Sequence, residues 1–148
     1  MCRLRFLKIV VNLGAAGAVI KDFNILSSLM GSLCVSLTSP ATFEHLEFNI
    51  HIDDHVISFD KEQYYENIRH ADAWSHLDSI TSQPTGSRLQ RVDISIDHIF
   101  HYLDYDDYML GRSRQPDGDE TKKAVLDGLP LLRTKGILFV KAGVTWGL

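Results

Sequence analysis

Four stretches of the chain alternate apolar and polar residues with the two-residue period of a half-buried strand: Arg3 to Val11, Leu46 to Ile52, Arg91 to Ile96 and Gly136 to Lys141. Successive side chains of a strand point to opposite faces, so this pattern predicts one covered and one wet face. The last three stretches begin at 46, 91 and 136, a spacing of 45 residues, and the first lies one similar step earlier. A fixed period of this size predicts units that bury their apolar sides only by stacking on one another.

The segments between the strands carry helical spacing. Leu26, Leu29, Met30, Leu33, Cys34 and Leu37 recur at three- and four-residue steps, with Ser27, Ser28, Ser32 and Ser36 between them. That is an amphipathic helix, stopped by Ser39-Pro40 because a residue before proline avoids helical angles. Asp60 to Gln63 has the form of a capping box. The helical pattern after it uses Ile68, Ala71, Trp74, Leu77 and Ile80 and is expected to break near His70 to Asp72. Val125, Leu129 and Leu132 carry the last helical stretch. Pro130 is placed to open a fresh turn, and Gly136 to close it in a left-handed cap.

In the strands, Leu46, Phe48, Ile50 and Ile52, and then Val92, Ile94 and Ile96, are expected inward. The third strand is expected over Leu89 to Asp97 and the last over Ile137 to Lys141. Residues 98–119, rich in Tyr and Asp, read as an irregular insertion. Strands separated by helical crossovers imply parallel pairing. The expectation is a single α/β domain over 1–148, an irregular αβ solenoid of about four strand–helix units, roughly 1–42, 43–87, 88–135 and 136–148.

Composition narrows the classes. The 148 residues are 45% apolar and 23% charged, close to a globular average and far from a disordered chain. A net charge of −4 with scattered basic residues argues against nucleic acid as partner. No stretch approaches the ~20 apolar residues of a membrane span. Two cysteines, Cys2 and Cys34, make no disulfide framework, which points to an intracellular, reducing compartment. Secretion is the minor alternative. Met1 to Lys8 is basic, Ile9 to Ile20 mostly apolar, and Ala16-Gly17-Ala18 resembles a peptidase site. Asn12 interrupts that apolar run, however, and cleavage there would delete the first strand.

The candidate chemistry is thin. Gly14 and Gly17 follow a strand, as in a pyrophosphate-binding turn, but Asn12 stands where the first glycine of that fingerprint belongs. A nucleotide-binding α/β enzyme using this turn is the alternative function. His51, Asp53, Asp54 and His55 cluster at a strand end without the spacing of a dinuclear hydrolase, and a solvated strand end is the simpler reading. His98 with His101, and His70 with His76, lack a glutamate at zincin spacing and read as surface histidines. Asp104, Asp106 and Asp107, interleaved with Tyr102, Tyr105 and Tyr108, lack the glycine and final glutamate of a calcium loop. They suit an ordinary exposed loop or an acidic, aromatic protein-binding one. No catalytic, cofactor or metal site is therefore expected. The outward residues of neighbouring strands, Glu47, Asn49 and His51 beside Arg91, Asp93 and Ser95, make a polar surface suited to a protein partner.

Three blocks carry a family resemblance: Leu37 to Phe48; Ala73 to Asp78 together with Leu89 to Val92; and Leu129 to Leu138. They resemble the repeat junctions near the carboxy-terminal end of F-box and leucine-rich-repeat-like proteins from mushroom-forming fungi. The resemblance covers most of residues 23–141. It implies a leucine-rich-repeat-like solenoid whose strands line a concave protein-binding face, a non-enzymatic role, and an F-box upstream that docks to a ubiquitin-ligase adaptor. Here Met1 stands almost at the first strand, so the adaptor is expected as a partner only if an F-box lies upstream. A truncated fragment without independent function is the remaining alternative.

Overall fold

The computed structural model describes residues 5–13, 28, 32, 44–55, 61–79, 89–101, 106, 109 and 117–147. Its strands are β1 (Phe6–Leu13), β2 (His45–His55), β3 (Arg91–His101) and β4 (Leu138–Gly147). Its helices are α1 (Lys61–Arg69), α2 (Asp72–Ser79), α3 (Gly118–Gly128) and α4 (Pro130–Thr134). The strands form one sheet in the order β1-β2-β3-β4, and all three pairings are parallel. The chain is thus mixed α/β with a four-stranded parallel sheet, as the crossovers between its strands imply.

The ladder fixes the spacing of the strands. Phe6 pairs His45, His45 pairs Arg91, and Val92 pairs Leu138, giving steps of 39, 46 and 46 residues. The first two junctions use one backbone device. The carbonyl of Arg5 accepts the N–H groups of Glu44 and His45, and the carbonyl of Glu44 accepts those of Gln90 and Arg91. β2 and β3 therefore each enter the sheet by docking two amide protons on the carbonyl of the residue just before the previous strand.

The strands run further than the alternation alone suggested. β2 continues to His55, β3 to His101 and β4 to Gly147. Residues 98–101, expected at the start of the irregular insertion, continue β3 instead, and α3 already begins at Gly118.

One face of the sheet forms the core. Leu46, Phe48, Ile50 and Ile52 of β2, with Val92, Ile94 and Ile96 of β3, are all 2% exposed or less. Over them pack Tyr64, Tyr65 and Ile68 of α1, Trp74 and Leu77 of α2, Ala124 and Val125 of α3, Leu129, and Leu132 of α4. The gap between α1 and α2 falls at His70 and Ala71, where the pattern predicted it. Trp74 there donates its indole N–H to the Ile68 carbonyl, which also accepts the Ala71 N–H at the end of α1.

Three caps shape the helices. Asp117 caps α3, its carboxylate accepting the N–H groups of Asp119 and Glu120. Pro130 opens α4 as expected, and Gly136 follows it at φ 71°, the left-handed turn into β4. The third cap comes from outside the helix: Asp78 of α2 accepts the N–H groups of Leu131 and Leu132.

Ser28 and Ser32, placed on the polar side of the first helical pattern, are helical and exposed, with Ser32 Oγ donating to the Ser28 carbonyl. The apolar stripe Leu26 to Leu37, the Asp60 box, Gly14, Gly17, Cys2 and Cys34 lie outside the described residues.

Candidate functional site

The second face of the sheet is wet. Parallel sheets are ordinarily covered on both sides, yet none of the outward residues described on β1 to β4 is buried. This face holds the six residues singled out from the sequence, and all six are outward on adjacent strands.

Their register differs from the expected one by two residues. Glu47, Asn49 and His51 stand opposite Asp93, Ser95 and Asp97, not Arg91, Asp93 and Ser95; Arg91 faces His45 instead. The expected neighbours are 44 residues apart and the ladder partners 46, a shift of two that keeps every side chain on the same face. The correction brings His45 and Asp97 into the surface.

Ion pairs lace the face across the strands. Lys8 of β1 reaches Glu47 of β2 at 2.8 Å, and Asn49 donates to the same carboxylate at 3.2 Å. His45 Nε2 lies 2.5 Å from Asp93 Oδ2. Arg91 grips Asp93 with two parallel hydrogen bonds of 2.6 and 2.8 Å. Further along, His51 Nδ1 stands 3.6 Å from Asp97, and His101 Nε2 stands 2.6 Å from Asp53. Gly143 of β4 leaves space beside Asp97, since a Cβ there would sit 3.3 Å from its carboxylate oxygen. Three imidazole–carboxylate pairs thus run down the seam between β2 and β3.

The Arg91 guanidinium holds the Asp93 carboxyl below the usual carboxylate range, with His45 adding to it. Lys8 does the same for Glu47. Arg91 is raised in turn, chiefly by Asp93.

Aromatic groups close the amino-terminal rim. Phe6 meets the His45 ring edge-on with centroids 4.8 Å apart, and the Arg91 guanidinium lies 4.5 Å from the centroid of Phe139. The contacts Phe6–His45–Asp93–Arg91–Phe139 therefore cross all four strands without a break.

The other candidates separate. His98 and His101 lie on opposite faces of β3 and cannot bind one ligand together. His98, expected at the surface, is 2% exposed and packs against the Tyr64 ring at 5.1 Å. Burial pushes its imidazole down to about 4. His51 and Asp53 engage β3 rather than each other, and Asp54 and His55 extend the backbone of β2. His70 and His76 are exposed, the first beside Glu66. Asp106 is exposed, whereas Tyr102, Asp104, Tyr105, Asp107 and Tyr108 lie outside the described residues. Among the described residues, no three His, Cys, Asp or Glu side chains are grouped to hold a metal ion. No described helix is long and apolar enough to cross a membrane.

No family model matches the chain, and neither a curated protein nor a solved structure is significantly similar to it.

Proposed function

We propose that the chain is a protein-binding module that recognises its partner on the open face of the sheet, in the manner of an irregular leucine-rich-repeat-like solenoid. The observation that carries this reading is the seam between β2 and β3. Charged and imidazole side chains there are fixed by contacts along and across the strands, yet remain in reach of solvent. Such preorganised polar groups lose little entropy on docking and select partners by charge and hydrogen-bond geometry. Arg and aromatic side chains, which dominate interface hot spots, border them as Arg91, Phe6 and Phe139. The partner this surface fits is a folded protein or extended segment with alternating charges. Docking to a ubiquitin-ligase adaptor belongs to this reading only where an F-box accompanies the module.

The test exchanges the central pair. In Arg91→Asp/Asp93→Arg the two charges trade places, so the fold keeps an ion pair while the pattern shown to a partner inverts. Capture of the wild-type partner should fall at least tenfold, while the cooperative melt is lowered by no more than the loss of the exposed His45 and Phe139 contacts. Undiminished capture would remove this surface from recognition.

A further inference from the structure

The edges of the sheet differ from its middle on both faces. On the covered face, the described inward residues of β2 and β3 are sealed, whereas on the outer strands Val11 and Val140 are buried but Leu7, Ile9, Leu138 and Val144 are only partly so. On the open face, three large apolar side chains stand out: Phe6 at 45% exposed, Val10 at 53% and Phe139 at 47%. All three belong to β1 and β4, the edge strands of the sheet among the described residues. The other large exposed apolar residues described, Met109 and Leu131, lie off the sheet.

Edge strands present unpaired backbone groups, and monomers blunt them with short lengths, prolines, bulges or charges turned to the edge. Here β1 has eight residues and β4 ten, neither contains proline, and the Lys8 ammonium is drawn back across the sheet to Glu47. We infer that the β4 edge of one copy of this chain pairs in parallel with the β1 edge of a second copy, continuing the sheet head to tail.

The repeat supplies the geometry. Phe139 shares a ladder row with Asp93, Glu47 and Lys8, so a strand added in the same phase places Phe139 opposite Lys8 of the second copy. Its diagonal neighbours are then Phe6 and Val10 of that copy, within reach of an aromatic ring. The three apolar side chains left exposed on the two edges thus become each other's neighbours. On the covered face, Leu138 and Val140 meet the flank of Leu7 and Ile9. Lys141 lies along Val10, covering it with methylenes while its charge stays in water. Because the two joined surfaces differ, the contact does not close on itself, and association is open-ended.

Single-edge variants test this in the full chain by light scattering across a range of protein concentrations. The wild-type mass should rise with concentration beyond that of a dimer. Val10→Lys spoils only the β1 edge and Phe139→Lys only the β4 edge, so each alone should be monomeric. An equimolar mixture should form a dimer and stop there, since one intact edge remains on each partner. Melting temperatures near that of the wild type verify folding, and Phe6→Lys serves for the β1 edge should Val10→Lys fail to fold. A wild-type monomer at every concentration, a dimer formed by either variant alone, or a mixture that stays monomeric would each overturn the inference.

Discussion

Asp78 holds the start of a helix that is not its own: its carboxylate accepts the backbone N–H of Leu132 at 2.9 Å, across 54 positions of sequence. A second bond, from Leu131 N–H at 3.1 Å, completes the cap. Pro130 has no amide proton, so these are the next donors that α4 leaves open, and Asp78 is 6% exposed. Asp78→Ala should lower stability by about 1–3 kcal/mol, the cost of one buried and one part-buried donor losing their acceptor. Asp78→Asn, which keeps one acceptor oxygen, should lose less. Chemical denaturation of both variants checks the order; equal losses would mean packing rather than capping sets the value.

Acid should weaken the fold through His98. In the unfolded chain its imidazole titrates near 6.5, whereas in the folded protein burial lowers it to about 4. The folded state therefore holds fewer protons between these values, and stability falls as pH drops through that window. The full loss is about 3 kcal/mol, reached below the folded value. His98→Leu should flatten the slope between pH 6.5 and 4 relative to the wild type. Carboxylates such as Asp93 contribute alike in both proteins, so the difference isolates the imidazole. Parallel pH profiles would contradict this account.

Two glycines at the ends of α3 are required by close approach. A Cβ on Gly128 would lie 2.8 Å from Trp74 Cδ1 and 3.0 Å from the Arg69 carbonyl oxygen, and one on Gly118 would lie 2.8 Å from the Ala142 carbonyl oxygen. Glycine to alanine in a helix ordinarily gains up to about 1 kcal/mol. Here Gly118→Ala and Gly128→Ala should instead cost about 1–3 kcal/mol by overpacking. Thermal melts of the two variants give the sign directly.

The α1–α3 contact has a polar pin. Tyr65 Oη accepts the Asp117 N–H at 2.7 Å and donates to the Asp117 carbonyl at 3.3 Å. Tyr65→Phe should cost about 1–2 kcal/mol while leaving the secondary structure intact. Amide exchange would show the loss first at the amino-terminal turn of α3. Unchanged protection there would mean the pin carries no load.

Much of this architecture could be read from periodicity. The inward sets Leu46 to Ile52 and Val92 to Ile96, the break at His70 and Ala71, the Pro130 turn and the Gly136 cap all follow from local spacing and backbone chemistry. Parallel order followed from the crossovers between strands. What escaped was non-local. His101 escapes because the alternation fades after Asp97 and the strand reads four residues short, whereas His45 and Asp97 lie inside the expected strands and escape because the pairing is offset by two rows from the ladder. His98 did leave a signal: it stands two residues after Ile96, on the inward phase, but a histidine there reads as the end of the pattern. Asp78 left none, since no local pattern marks a side chain that caps a distant helix. The pairing of imidazoles with carboxylates likewise depends on which strands adjoin.

The claim that the open face meets a partner is tested most directly by placing a photo-activated cross-linking residue at single positions in cells that make the protein. Ser95 lies at the centre of that face, and Leu131, 49% exposed, lies on α4 away from the sheet. The account predicts a discrete adduct from position 95, lost in the Arg91→Asp/Asp93→Arg background, and none from position 131. Adducts from position 131 alone, or equally from both positions, would contradict it.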